Sequence, residues 1–219
     1  MQRRLQSRMV THPSPSQKLG FLLFCCSLLF RIVRYNPLFL GILVSTVIRN
    51  GVNFVRPGEL RQARWKDVDL DGAEWRLPVE DTKLTLEEKA RQQGQVHVIP
   101  LSRQAVEVLR ELHPFTGRSQ YVFPGRASSR VLSPNTINSA LRTMRWDSDT
   151  VCGHGFRTTA RTMLHETLNF SPDAIEAQLG HRVPDRLGAA YNRTKHLEER
   201  RRMMQAWADY LDGLKRTSV

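Results

Sequence analysis

The chain has 219 residues, enough for one large domain with a buried core, and its 33 Lys and Arg against 21 Asp and Glu give a formal net charge of +12. An excess of that size points to a polyanion partner, either nucleic acid or an anionic membrane. A hydrophobic content of 40% excludes a fully disordered chain, and three Cys exclude a disulfide scaffold.

The charge is uneven. Residues 1–52 carry Arg3, Arg4, Arg8, Lys18, Arg31, Arg34 and Arg49 and no acid, since the first acidic residue is Glu59. The same segment holds two apolar runs, Leu19 to Phe30 and Pro37 to Ile48. A basic start followed by FLLFCCSLLF has the outline of a signal peptide, but it lacks a clean small-residue cleavage site. Neither run reaches the roughly 18 apolar residues needed to span a bilayer, so no membrane partner is expected. The expected division is an atypical basic and apolar leader over 1–52 and an ordinary soluble α+β domain over 53–219. Cys25 and Cys26 are adjacent and Cys152 stands alone, which is no zinc spacing; idle thiols in a reducing compartment fit.

The predicted elements follow in chain order. Arg56-Pro57-Gly58-Glu59-Leu60 opens a short helix with Pro57 at its first position. Asp69-Leu70-Asp71-Gly72 is a turn signal, and Ala73 to Pro78 alternates like a strand with Trp75 and Leu77 on one face. Val96 to Pro100 is a second strand. The polar stretch from Glu80 to Gln95 between them reads as a long hairpin excursion. Ser102 starts a helix to about His113, Ser133-Pro134 one to about Arg145, and Phe156 to Leu168 another. Ser171-Pro172-Asp173 begins a helix that Gly180 ends. Lys195 to Leu214 places Met203, Trp207, Leu211 and Leu214 on one helical face. That stripe can pack on its own domain or dock on a second copy, and Arg200, Arg201 and Arg202 beside it face phosphates or water. The fold class is therefore α+β, mostly α-helical, with a small antiparallel sheet.

Several positions bear chemistry. His154 and Arg157 sit three apart at a helix start, a spacing that shares a face and, with the helix N-terminus, suits an anion. Each remaining candidate is unremarkable alone: Arg56 before Pro-Gly is by default a surface charge, Lys83 a solvated lysine, His181 a helix-end histidine, and Tyr191 a packing residue with a polar tip. Their order is more specific. An Arg in a helix-opening turn, a Lys on a hairpin, H-x-x-R, a His after Leu-Gly and a Tyr ten residues on resembles the tyrosine recombinase (phage integrase) family. The segments GVNFVRPGELR, VIPLS, GHGFRTTARTML, QLGHRV and YNRTKHLEERRRMMQAWADYL are similar to prophage integrases that sit at tRNA genes. The likeness covers roughly residues 53–215.

The resemblance implies a tyrosine recombinase catalytic-domain fold and site-specific DNA recombination, with Tyr191 attacking a phosphodiester to give a 3′-phosphotyrosyl link. Arg56 and Arg157 would then grip the phosphate oxygens, Lys83 would protonate the 5′-oxygen, His154 would move a proton or position Tyr191, and His181 would donate to the phosphate. Lys89 is a rival to Lys83, because the excursion is longer than the family's hairpin. Glu59 is expected to pair with a neighbouring cation. The link conserves bond energy, so no cofactor and no metal are expected. The implied partners are double-stranded DNA at an attachment site such as a tRNA gene, three further copies in a homo-tetramer, and accessory DNA-bending proteins. The implied setting is the cytoplasm, on the nucleoid. The family's core-binding domain has no counterpart in residues 1–52, so the competing expectations are a truncated prophage integrase and a non-catalytic DNA-binding remnant.

Overall fold

The computed structural model describes residues 54–83, 85–91, 94–125, 129–143, 145–181 and 189–217. The leader of residues 1–52 lies outside them, and so does everything expected of it. Among the described residues no helix is long and apolar enough to cross a membrane.

Helix α1 (Pro57–Arg61) starts where the sequence places it, with Arg56 extended at its N-cap and Pro57 pre-set for the first turn. A short sheet follows, made of β1 (Val68–Asp69), β2 (Glu74–Pro78) and β3 (Val96–Pro100), in the order β1-β2-β3 and antiparallel throughout. The Asp69 carboxylate accepts from the backbone N–H groups of Asp71 and Gly72, which closes the β1–β2 turn. On β2, Trp75 and Leu77 are buried while Arg76 between them is exposed, as a period of two requires. The β2–β3 excursion is not purely a loop. It contains α2 (Leu86–Arg91), whose residues Leu, Glu, Glu, Lys, Ala and Arg are all good helix formers.

Helix α3 (Arg103–Thr116) is capped by the Ser102 hydroxyl, which accepts from the Ala105 N–H. It runs past the expected end at His113, through Pro114, to Gly117. Helix α4 (Thr136–Thr143) begins two residues later than Ser133-Pro134 suggested, because Ser133 and Pro134 form a preceding turn whose Ser133 carbonyl accepts from the Thr136 N–H. It stops before Arg145, which has a φ of 66°, a conformation that no helix continues. Helix α5 is Gly155–Glu166, and α6 (Pro172–Gln178) is capped by the Ser171 hydroxyl. The last helix, α7 (Ala189–Thr217), is longer than its apolar stripe and starts before Tyr191.

Two apolar clusters hold this together. The first packs Trp75, Leu77 and Ile99 of the sheet against α3, α4 and Phe123. The second gathers Phe54, Met163 and Leu164 of α5, Ile175 and Leu179, and Met203, Met204, Trp207 and Leu211 of α7. The Phe54 ring meets Trp207 edge to face at 6.2 Å between centroids. The α7 stripe is thus packed on its own domain, the first of the two alternatives its spacing allowed. Of the three consecutive arginines, Arg200 points inward and is 6% exposed, Arg201 pairs with Glu74, and Arg202 is exposed.

Candidate functional site

Three of the expected side chains converge between α1, α5 and the end of α6. Arg56 lies at the α1 N-cap. Its backbone N–H donates to Glu59 Oε2 at 2.7 Å and its Nη1 to Glu59 Oε1 at 2.8 Å, so one buried carboxylate fixes both its main chain and its guanidinium. This is the pairing expected of Glu59. Arg157, in the first turn of α5, is 5% exposed. Its Nη1 donates to the carbonyl of Phe54 and its Nη2 to that of Leu179, and Nη2 also lies 3.3 Å from Nε2 of His181. Burial and then the positive Arg56 pull the Arg157 pKa down to about 10, while Glu59 and Glu176 oppose them; the group remains charged at neutral pH.

His181 owes its place to a glycine. Gly180 follows α6 with a φ of 65°, which turns the chain so that the His181 N–H donates back to the Glu176 carbonyl. The ring is then held from both sides. Nδ1 lies 2.5 Å from Glu176 Oε2, and the other oxygen of that carboxylate takes Arg161, with Nε at 2.7 Å and an Nη at 2.6 Å. Burial raises the Glu176 carboxyl, but the bonds from His181 and Arg161 more than reverse this and hold it below its ordinary value.

Of the other candidates, the side chains of His154 and Lys83 are described. His154 occupies the N-cap position of α5 with an exposed side chain, while Arg157, three residues on, is buried. Lys83 is exposed at a bend after Thr82. Among the described residues neither forms a hydrogen bond or ion pair with Arg56, Arg157 or His181. Tyr191 is the third residue of α7, and Lys89 lies in α2; the side chains of both are outside the described set.

Sequence reasoning missed His97 and read Arg200 as facing phosphates or water, whereas it is buried. His97 of β3 reaches the Gln178 carbonyl with Nε2 at 3.4 Å. Its pKa is pushed down to about 4 by burial and then by the Arg200 charge; the bond to Gln178 opposes this, and Arg157 and Arg56 add to it. Arg200 donates from Nε to Gln178 Oε1 at 2.7 Å and from an Nη to the Val98 carbonyl. Burial lowers its pKa to about 10. One arginine therefore ties α7 to β3 and to the end of α6. The signal was present, since Arg200 sits three, four and seven residues before Met203, Met204 and Trp207 on the same face. Among the described residues no group of three His, Cys, Asp or Glu side chains gathers as a metal site.

The arrangement brings two guanidiniums and an imidazole near one another, and comparison with known proteins gives it a setting. The profile of the Phage integrase family matches residues 35–198, starting before the division expected at residue 53. The integrase of Enterobacteria phage P4 is 46% identical over 167 residues, which are 74% of this chain and 38% of that protein. The chain spans about two-fifths of the length of the curated relatives it matches. Its fold is similar to that of the XerA recombinase in a crystal structure, with a TM-score of 0.53 at 18% identity over 91% of this chain and 67% of that one. It is similar also to a lambda integrase dimer bound to a COC′ core site, with a TM-score of 0.50 at 17% identity over 85% of this chain and 65% of that one. The mostly helical chain with its small antiparallel sheet has the tyrosine recombinase catalytic-domain fold, and it belongs to the phage integrase family.

Proposed function

We propose that this chain is the catalytic part of a site-specific recombinase that cuts and rejoins duplex DNA through Tyr191. The observation that carries the reading is the convergence of Arg56, Arg157 and His181 in a member of the phage integrase family. A phosphodiester in transfer gathers charge on its non-bridging oxygens. Pre-placed guanidinium forks act where that charge grows, and losing one such donor costs about 100- to 1000-fold in rate. Arg157 already uses one N–H of each Nη on a carbonyl, so its remaining donors are fixed in direction before DNA arrives.

A free phenol has a pKa near 10, so about one Tyr in a thousand is ionised at pH 7. Tyr191 therefore needs nearby cations or a base, and His154 is assigned to that proton. Lys83 is assigned to the departing 5′-oxygen, because a lysine can release a proton where an arginine practically does not. Lys89 is the alternative for that step. The product is a 3′-phosphotyrosyl link, which a second 5′-hydroxyl reverses without an external energy source. The partners that follow are duplex DNA at an attachment site, further copies on that DNA, and DNA-bending accessory proteins. A cytoplasmic setting on the nucleoid follows from that substrate.

The test is a nicked suicide substrate carrying the attachment site, incubated with the chain alone and with the amino-terminal part of a related integrase supplied separately. A covalent adduct that disappears in Tyr191→Phe supports the proposal. Salt-sensitive DNA binding without any adduct in both arms assigns the chain instead as a non-catalytic DNA-binding remnant.

A further inference from the structure

We infer that Glu176, anchored by Arg161, is the positioning residue that sets the tautomer and orientation of His181. This deepens the reading above and rests on it for its catalytic consequence. The geometry is a directional chain. The Arg157 guanidinium can only donate, so at 3.3 Å it requires His181 Nε2 to accept. The Glu176 carboxylate can only accept, so at 2.5 Å it requires His181 Nδ1 to carry the proton. Both neighbours therefore demand the same neutral ring, protonated at Nδ1 and open at Nε2. Arg161, with two nitrogens on the far oxygen of Glu176, keeps that carboxylate ionised and stops it from rotating away.

The local fold makes the arrangement specific. Glu176 and His181 are joined by a backbone bond as well as a side-chain bond, across the left-handed Gly180. The carboxylate cannot follow a different rotamer of the ring without breaking its contact to α5. When a phosphate group draws the Arg157 donor away from Nε2, a proton taken up there from solvent gives an imidazolium that the same carboxylate stabilises, and Nε2 then donates to the phosphate. A His whose second nitrogen is held by a carboxylate acts in a fixed direction. At metal-bound histidines, losing such a supporting carboxylate costs about 10- to 100-fold, and a loss of the same order is expected for His181.

The test has two independent readouts on the full chain. Long-range proton–nitrogen correlation spectra, assigned with His181→Gln, should show His181 protonated at Nδ1. Glu176→Ala should release the ring to a mixture of tautomers. A predominant Nε2–H tautomer in the unaltered chain overturns the inference, whatever the chain does to DNA. In the suicide-substrate assay, Glu176→Ala should slow adduct formation about 10- to 100-fold with unchanged DNA affinity. Glu176→Gln, whose amide oxygen still accepts from Nδ1, should recover much of that rate. Adduct formation by Glu176→Ala at the unaltered rate also overturns it. If the unaltered chain forms no adduct, the recombinase reading fails while the spectra still decide the tautomer.

Discussion

His97 should make this domain lose stability in a defined acid window. In the unfolded chain its imidazole takes up a proton as the pH falls through about 6.5. In the folded chain burial and the charges of Arg200, Arg157 and Arg56 delay protonation until about pH 4. Between those values the unfolded state binds more protons than the native one, so stability falls as the pH is lowered from 6.5 to 4 and the loss is complete below that. At about 1.4 kcal/mol per factor of ten in the proton equilibrium, the drop is worth roughly 3 kcal/mol. The replacement His97→Gln keeps a donor for the Gln178 carbonyl and removes the titration. Urea unfolding followed by tryptophan fluorescence, at pH 7.5 and in steps to pH 4, gives the difference between the two proteins; carboxylates common to both cancel. His97→Gln should lose roughly 3 kcal/mol less than the unaltered chain across that range. Parallel curves for the two proteins would refute the reasoning and place the His97 ring in contact with water.

Three further outcomes follow from the packing. Trp207→Ala, at a site 1% exposed and against Phe54, should cost about 3–5 kcal/mol in urea unfolding, and Trp207→Phe clearly less; equal losses would contradict the role given to the indole's volume. Arg200→Met removes a buried charge but leaves the Val98 carbonyl and Gln178 Oε1 without their donor, so a net loss of about 1–3 kcal/mol is expected; a more stable variant would show that the desolvation of Arg200 outweighs its bonds. Gly180→Ala should lower stability by about 1 kcal/mol through its φ of 65° alone, since the nearest atom to an added Cβ is 3.8 Å away on His97. A loss several times larger, read from the melting temperature, would mean that the His181 corner moves with it.

The elements with a clean period were legible in the sequence. Trp75 and Leu77 alternate with Arg76, and Ser102 and Ser171 stand where their hydroxyls cap α3 and α6. Helix α2 was missed because a charged stretch between two strands reads as a loop, although every residue in it favours helix. The site was legible as an ordered set of residues, but not as geometry. Spacing put His154 and Arg157 together at a helix start, but it could not show that His154 is exposed while Arg157 is buried and bonded to backbone carbonyls. The supports were less visible still. Glu176, His97 and Arg200 bond to backbone and side-chain groups brought close by the tertiary fold, or act across a single left-handed glycine, and neither leaves a local periodic trace.

Helix α7 can be viewed as a beam. Its embedded part runs from the clasp at Glu199 and Arg200, bonded to Ser171 and Gln178, through Trp207 to Leu211. Tyr191 lies on the same helix nine residues before Arg200, about 13 Å away along the axis. Over that arm a tilt of about 10° at the clasp carries the Tyr191 backbone by roughly 2 Å, which is comparable to the difference between attacking range and idleness. The accuracy of the proposed nucleophile is therefore set by bonds at residues that never meet the phosphate. Whatever loosens the hold of Arg200 on Gln178 should spoil aim before it spoils folding.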